Sequence, residues 1–269
     1  MTIIGEKLNG SIPACARAIA ARDESYIKDM AKRQADAGAD YLDIHAGVKE
    51  GELETLKWMI EAAQSVADTP IAVDSPDVRV ITGAMPFCAR PGLLNSVSPE
   101  GGKIDTVFPI LAKPENREWG VVALLNGEAA IPKTAAGRME VFGKIMAKAG
   151  QYGIESSRIY VDPLVEMLCA ADDGEGALTL LETVRQIRAA NPGVRICGAI
   201  SNASYNLPAR RLVNQALAVL AIGAGIDCAI VDPLCGDLRG AMLAAEAIMG
   251  LDDYCAEYTS AYRAGIFGK

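Results

Sequence analysis

The sequence of 269 residues contains a single histidine, His45, and its seven cysteines include no C-x-x-C pair. A metal site built from two or three histidines is therefore excluded, and we expect no metal site in the chain. Most of the cysteines lie in apolar stretches such as DCAIVDP (227–233). This placement favours reduced, packed thiols in a cytoplasm over a disulfide framework.

Basic residues and long apolar runs are also scarce. The 26 lysines and arginines are outnumbered by 34 aspartates and glutamates, giving a net charge of −8. Nucleic acid is a poor partner for such a chain, because phosphate binding requires a basic face. No window of about 20 uninterrupted apolar residues exists, so we expect no membrane association. The opening MTIIGEKLNG lacks the pattern of a secretory signal, which agrees with a cytoplasmic localisation.

Short apolar runs alternate with segments of helical period along the whole chain. The predicted strands are TIIGEK (2–7), YLDIHAG (41–47), PIAVDS (70–75), GLLNSV (92–97), GVVALLN (120–126), RIYVDPL (158–164), VRICGAISN (194–202) and DCAIVDPL (227–234). Helical period is clear in residues 25–38, where Ile27, Met30, Ala31 and Gln34 share a stripe and Gly38 is a stop signal.

Strand–helix alternation of this kind predicts parallel strands joined by right-handed crossovers. Eight repeats within this length predict a (β/α)8 TIM barrel forming one domain over residues 1–269, because single α/β barrels run to about 250 residues. A doubly wound open sheet is the alternative interpretation of the same alternation.

Each predicted strand carries a polar residue toward its carboxyl end. These residues are Glu6, Asp43, Asp74, Asn95, Asn126, Asp162, Asn202 and Asp232. The carboxyl ends of barrel strands meet at one mouth, where active sites are found, so we expect a polar ring there. For any one of them alone, a helix N-cap or a turn is an equal explanation, since Asp and Asn are favoured in both.

The predicted ring consists of carboxylates and carboxamides without a cluster of lysine or arginine. Such a ring suits a neutral ligand better than a phosphate or carboxylate. A carboxylate accepts two parallel N–H bonds, and a carboxamide both donates and accepts, so a flat heterocycle rich in N–H groups fits well. Pterins, purines and guanidines all meet this description.

Several stretches, in order, carry a resemblance that narrows the choice. They are IIGEKLNG (3–10), ADYLDIHAG (39–47), IAVDS (71–75), LLNSVS (93–98), IPKTAAGRM (131–139), YVDPL (160–164), GAISNASYNLPARRLVNQ (198–215) and DCAIVDPL (227–234). Together they resemble the pterin-binding methyltransferases, which include methyltetrahydrofolate:corrinoid protein methyltransferases and the folate module of cobalamin-dependent methionine synthase. The YVDPL stretch and the SNxSxxLPxRxxxN run (201–214) are the most specific parts.

The resemblance implies a (β/α)8 barrel enzyme that transfers a methyl group between N5 of tetrahydrofolate and the cobalt of a corrinoid protein, in a direction that stays open. By resemblance, Asp74, Asn95 and Asp162 hold the pterin ring and Asn202 contacts N5. We expect Asn202 to be catalytic, because a hydrogen bond that strengthens as N5 is protonated stabilises the transition state. The remaining candidates for the pocket are Glu6 and Asp43, followed by Tyr205, Arg210, His45 and Asp232.

Two positions depart from the family pattern. His45 stands where asparagine is frequent, and a structural histidine is the alternative explanation. Tyr205 stands where some relatives carry glutamine or phenylalanine.

The stretch DIHAGV (43–48) only approximates the D-x-H-x-x-G motif of corrinoid modules, because Gly47 comes one residue early. We therefore expect the cobalamin on a separate corrinoid protein, and a homodimer, as is frequent in the family.

Two other functions compete with methyl transfer. Dihydropteroate synthase needs cationic groups for a pyrophosphate, and its second strand usually runs into a Gly-Gly-Glu-Ser-Thr-Arg loop, whereas residues 43–52 read DIHAGVKEGE. A non-catalytic pterin-binding protein would bind folate and exchange no methyl group. Lys133 and Arg138, in IPKTAAGR (131–138), are predicted to lie in a solvated loop, and contact with the folate glutamate or with the partner protein is the alternative interpretation.

Overall fold

The computed structural model describes residues 1–128, 130–170 and 175–268. Within these ranges eight parallel strands close into a barrel in chain order, and the last strand pairs with the first. The structure confirms the predicted (β/α)8 barrel and excludes the open sheet. No helix in the described ranges combines the length and the apolar character needed to cross a membrane.

The elements follow the predicted alternation. The strands are β1 (Thr2–Asn9), β2 (Tyr41–His45), β3 (Ile71–Asp74), β4 (Leu93–Val97), β5 (Gly120–Leu124), β6 (Ile159–Asp162), β7 (Arg195–Ala199) and β8 (Cys228–Val231). The helices are α1 (Pro13–Ala20), α2 (Glu24–Asp36), α3 (Glu52–Gln64), α4 (Val78–Ala84), α5 (Lys103–Leu111), α6 (Ala135–Gln151), α7 (Gly176–Ala190), α8 (Arg210–Ala224), α9 (Gly236–Ile248) and α10 (Ala256–Arg263).

An apolar plug fills the inside of the barrel. It consists of Ile4, Ala72, Leu93, Val122, Tyr160, Cys197, Cys228 and Ile230. Because every second side chain of a strand points to the same face, the residue two places further on also points inward. In β3, β4 and β6 that residue is Asp74, Asn95 and Asp162, respectively. These three polar side chains therefore lie above the plug, toward the mouth.

A second, larger apolar cluster packs the helices against the outside of the barrel. In α2 the buried residues are Ile27, Met30, Ala31 and Gln34, which is the stripe expected from the sequence. The polar member of the stripe has a partner, because the Gln34 side-chain oxygen accepts the Lys7 backbone N–H at 3.0 Å. The helical period thus identified the face of α2 that packs on the barrel.

Some predicted strand ends are wrong. The last strand pairings of β7 involve Ala199, and residues 200–202 then form a 3-10 turn that ends at Asn202. Local bonds replace the sheet there, because the Ala203 N–H donates to the Ile200 carbonyl. β5 ends at Leu124, so Asn126 lies beyond the strand. Asn202 is therefore presented by a turn rather than by the tip of a strand.

The start of β4 has no room for a side chain. A Cβ on Gly92 would lie 1.9 Å from the carbonyl oxygen of Ile71 in β3. Gly92→Ala should therefore lower the free energy of unfolding by about 1–3 kcal/mol, through overpacking against backbone. Gly143→Ala is the matched control, because a methyl group there meets nothing within 4 Å. It should stabilise the exposed face of α6 by about 0.5–1 kcal/mol in urea unfolding.

Equal unfolding free energies for the Gly92→Ala variant and the parent protein, at unchanged slope of the urea transition, would contradict this account of the β3–β4 contact.

Candidate active site

A cavity of about 780 Å³ opens at the mouth of the barrel where the strands end. The predicted residues that line it are Glu6, Asp43, Asp74, Asn95, Asp162, Asn202, Tyr205, Arg210 and Asp232. Within the described part of the chain, His45 and Asn126 lie outside this lining. The Asn126 side chain instead donates to Glu100 at 3.2 Å. The structure thus gathers most of the predicted ring around one space.

Asp43 and Asn95 form the buried floor of the cavity. Asn95 Nδ2 donates to Asp43 Oδ1 at 3.0 Å. Asp43 lies in the middle of β2, in register with Ala72, and so sits deeper than a residue at the strand end. Burial, reinforced by the like charge of Asp74, raises the pKa of Asp43 well above its usual range. The side-chain nitrogen of Asn95 is therefore bound to Asp43, and the side-chain oxygen of Asn95 is left for a ligand.

Asp74 ends β3 between His45 of β2 and Asn95 of β4. His45 Nδ1 lies 3.1 Å from the backbone oxygen of Asp74 and 3.5 Å from Asp74 Oδ2. The single histidine therefore contacts the end of β3. About a quarter of the Asp74 side chain remains exposed (27%). Burial among protein atoms raises the pKa of Asp74 to about 7, and the negative charge of Glu52 is the second, smaller cause. A ligand that donates N–H groups would stabilise the ionised form.

Asp162 ends β6 and is buried. Its Oδ1 accepts the backbone N–H of Leu164 at 2.7 Å. Burial raises the pKa of Asp162 to about 6, while the Leu164 N–H and the positive charge of Arg138 act in the opposite direction. The second oxygen forms no hydrogen bond within the described residues, which leaves it for a ligand.

Arg138 fixes the turn that follows Asp162. Its guanidinium is fully buried and donates through Nη1 to the carbonyls of Pro163 at 2.6 Å and Leu164 at 3.0 Å, and through Nη2 to Glu166. A buried guanidinium requires acceptors for its N–H groups, and the turn supplies them. The prediction of a solvated loop is therefore wrong for Arg138.

A bulge in β1 turns two consecutive side chains toward the cavity. Glu6 Oε2 accepts the Ser201 hydroxyl at 2.8 Å, and Lys7 Nζ lies 3.2 Å from Asp232 Oδ2. Burial raises the pKa of Glu6, and the nearby Asp232 charge adds to that effect. Regular alternation points Lys7 outward, so no sequence pattern predicts its place in the lining.

The turn after β7 presents Asn202 to the cavity. Arg210 holds this turn, because Nη2 donates to the Ser201 carbonyl at 2.8 Å and Nε donates to the Ser204 hydroxyl at 3.0 Å. The same guanidinium lies 5.8 Å from the centre of the Tyr205 ring. The Asn202 side chain forms no hydrogen bond with the described residues. The backbone of Asn202 is held in the turn, because its carbonyl accepts the Tyr205 N–H at 3.1 Å, and its carboxamide stays available to a ligand.

Sequence reasoning missed part of the lining. The missed polar residues are Lys7, Asn9, Ser11, Ser201, Arg211 and Asn214. The expectation of a ring without clustered cations is corrected accordingly, since Lys7, Arg210 and Arg211 all line the cavity. Asn214 had a signal, because it is the last residue of the SNxSxxLPxRxxxN run. Arg211 had none beyond its place next to Arg210.

The cavity offers hydrogen-bonding groups rather than a metal centre. Within the described ranges, no group of three or more His, Cys, Asp or Glu side chains is arranged to hold a metal ion. The seven cysteines are free thiols. Carboxylates and carboxamides face one another across the mouth, which suits recognition of a flat ring that carries several N–H donors.

Comparison with known proteins identifies relatives at the level of sequence. Residues 14–232 match the family described as pterin binding enzyme. The chain is 39% identical over 269 residues to "Methylcorrinoid:tetrahydrofolate methyltransferase" of Eubacterium limosum, covering 100% of this chain and 98% of that protein. It is 25% identical over 238 residues to methionine synthase of Mycobacterium leprae (strain TN), covering 85% of this chain but only 20% of that longer protein.

Solved structures are similar in fold. Dihydropteroate synthase from Coxiella burnetii in complex with pteroic acid superimposes with a TM-score of 0.69 at 18% identity, covering 93% of this chain and 94% of that one. Dihydropteroate synthase from Xanthomonas albilineans in complex with 7,8-dihydropteroate gives 0.65 at 19% identity, with 92% of each chain covered. At such identities the likeness concerns the barrel alone.

The raised pKa of Asp74 makes stability depend on pH. An acid whose folded pKa is about 7 takes up a proton on folding between about pH 4 and pH 7, so stability falls as pH rises through that window. Asp74→Asn removes the buried charge and should raise the unfolding free energy of the ligand-free protein at pH 8 by on the order of 2 kcal/mol. The gain should vanish toward pH 4. Thermal melting across this range measures it, with Asp36→Asn on α2 as the surface control.

If the unfolding free energies of the Asp74→Asn variant and the parent protein differ by the same amount from pH 4 to pH 8, burial of the Asp74 charge is not the cause of the difference.

Arg138 offers a second test of the site's construction. Arg138→Lys keeps the charge but loses the planar fork that reaches two carbonyls and Glu166 together. We expect the unfolding free energy in urea to fall by about 2–3 kcal/mol, since buried acceptors lose their donors. Arg185→Lys on the surface of α7 is the matched control and should change stability by less than about 0.5 kcal/mol. Equal effects of the two substitutions would contradict the role assigned to Arg138.

Proposed function

This chain belongs to the pterin-binding enzyme family, and we propose that it transfers a methyl group between a corrinoid and N5 of tetrahydrofolate. Identity of 39% over the full length to the methyltransferase of Eubacterium limosum supports this assignment. The name of that relative also supports a direction, in which the methylated corrinoid is the methyl donor and tetrahydrofolate is the acceptor.

The observation that carries the proposal is the placement of hydrogen-bonding groups on two sides of one cavity. Asp74, Asn95 and Asp162 come from β3, β4 and β6, and Asn202 follows β7. The first three offer acceptor oxygens to the N–H groups of a pyrimidine edge. Strands β3 and β7 are four positions apart in an eight-stranded barrel, so they face each other. A pterin bound by its pyrimidine edge therefore points N5 toward Asn202.

The chain's own residues have a limited chemical task. The N5 lone pair forms the bond to the methyl carbon, the electron pair of the cobalt–carbon bond remains on cobalt, and the N5 proton leaves. As N5 becomes cationic, its N–H donates more strongly to the Asn202 side-chain oxygen. An interaction that grows in this way stabilises the transition state more than the bound substrate. The open cavity gives the released proton a route to solvent.

We further propose that the corrinoid is carried by a separate protein, and that the enzyme is a cytoplasmic homodimer. The cavity stays open at the barrel mouth, which gives an external corrinoid access to the methyl-accepting atom. Support for a dimer comes from large apolar side chains left exposed outside the barrel: Leu212 and Leu220 on α8 and Ile248 at the end of α9, exposed by 67%, 56% and 81%.

The competing functions are less well supported. Lys7 and Arg210, two cations of the described lining, are already committed, because Lys7 pairs with Asp232 and Arg210 holds the turn that contains Asn202. A pyrophosphate, as dihydropteroate synthase requires, would have to compete with these contacts. A non-catalytic pterin-binding protein would bind tetrahydrofolate without any change in the cobalamin spectrum. Incubation with methylcobalamin and tetrahydrofolate therefore separates methyl transfer from both alternatives.

Asn202→Ala tests the catalytic assignment. Loss of a group that stabilises developing charge should lower the single-turnover rate of methyl transfer by about a hundred- to a thousandfold. Tetrahydrofolate binding by calorimetry and the melting temperature should change far less, because the side chain makes no contact that holds the described fold. Asn126→Ala is the matched control, since this asparagine also follows a strand but lies outside the cavity lining.

A folded Asn202→Ala protein that transfers the methyl group at the parent rate would reduce Asn202 to a turn residue.

A further inference from the structure

The lining of the cavity extends beyond the proposed pyrimidine contacts on one side. The proposed pyrimidine contacts lie on β3, β4 and β6, and the opposite side is formed by β7, β8 and β1. On that side the lining continues outward to the beginnings of α1 and α8. Its polar residues include Asn9, Ser11, Arg211 and Asn214. A ring held by its pyrimidine edge directs its other edge, and any substituent there, toward this extension.

The extension carries two arginines that form no ion pair in the described part of the chain. Arg210 and Arg211 begin α8 and line the cavity. Neither pairs with a carboxylate within 4.0 Å in the described part of the chain, although the net charge is −8. Lys7 differs, because Asp232 neutralises it at 3.2 Å. Since Arg210 is occupied by the turn before it, Arg211 is the guanidinium left for an anion.

An unsatisfied polar atom lies in the same wall. Asn214 Oδ1 is buried and has no hydrogen-bond partner among the described residues. Asn214 follows Arg210 by four residues on α8, so both side chains lie on one face of the helix. Buried acceptors are normally paired, which indicates that a ligand N–H completes this one.

A second cavity of about 760 Å³ lies beyond the arginines. Arg210 and Arg211 line both spaces, and Asp237, Tyr258 and Phe267 line the outer one. A chain-like anionic group that leaves the first cavity on this side therefore passes Arg211. The wall thus combines a free cation, an unpaired acceptor and room for an extended substituent.

We propose that Arg211 and Asn214 form a subsite for the aminobenzoyl-glutamate tail of tetrahydrofolate, with the Arg211 guanidinium on a glutamate carboxylate and Asn214 Oδ1 accepting a tail N–H. This inference rests on the proposed function, because it takes tetrahydrofolate as the substrate. The tail then adds affinity and orients N5, while the methyl-transfer chemistry stays with the groups around the pterin.

Two ligands distinguish the contribution of the tail to binding from that of the ring. They are tetrahydrofolate and 6-methyltetrahydropterin, which keeps the reduced ring and lacks the tail. Calorimetry on the Arg211→Gln variant should show tetrahydrofolate affinity reduced by about five- to tenfold, the range between exposed and charge-assisted contacts. Affinity for 6-methyltetrahydropterin should stay at the parent value. Raising the salt concentration should weaken tetrahydrofolate binding in the parent protein more than in the variant.

Asn214→Ala is a second, uncharged probe and should also weaken tetrahydrofolate selectively. Arg185→Gln on α7 is the matched surface control and should affect neither ligand. Equal losses for both ligands, or none for either, would overturn the subsite. So would an Arg211→Gln protein with parent tetrahydrofolate affinity that loses only transfer from the corrinoid protein, since Arg211 would then serve that partner. Failure of the parent protein to bind either ligand would instead refute the proposed function.

Discussion

Carboxylates held above an apolar plug are the constraint on which the cavity depends. Asp43 and Asp162 are buried, and Asp74 is mostly buried, where the barrel interior changes from apolar to polar, and burial raises the pKa of each. Placing these groups out of water opposes folding unless other groups compensate. The compensation is partial: Asn95 donates to Asp43, and the Leu164 N–H donates to Asp162. The remaining lone pairs are available to a ligand. N–H donors of a ligand therefore recover part of the free energy that burial of these carboxylates costs.

Two arginines fix the loops around the cavity, Arg138 from a buried position and Arg210 from an exposed one. Arg138 binds the carbonyls of the turn after β6, and Arg210 binds the turn after β7. Each guanidinium thus supports a neighbouring residue that faces the ligand, Asp162 in one case and Asn202 in the other. Rigid support of this kind keeps hydrogen-bonding groups aligned with a reacting atom, which is how positioning contributes to catalysis.

The barrel and much of its mouth could be predicted from the sequence, because strand alternation determines which side chains point inward. Asp74, Asn95 and Asp162 follow buried residues at a spacing of two, so their orientation is set by local geometry. Lys7 breaks that rule, since it enters the cavity only through a bulge in β1. Arg138 was misassigned because sequence pattern does not reveal that a loop folds over a charged side chain. Apolar pattern predicts a strand as far as Asn202, whereas backbone hydrogen bonds make residues 200–202 a turn.

The most direct test of the account is a crystal structure of the protein with tetrahydrofolate bound. It should show the pyrimidine edge on Asp74, Asn95 and Asp162, with N5 within hydrogen-bonding distance of the Asn202 side chain and open to the barrel mouth. A ring bound in the opposite orientation, with N5 on the β3–β4 side, or a pterin outside the barrel mouth, would contradict it.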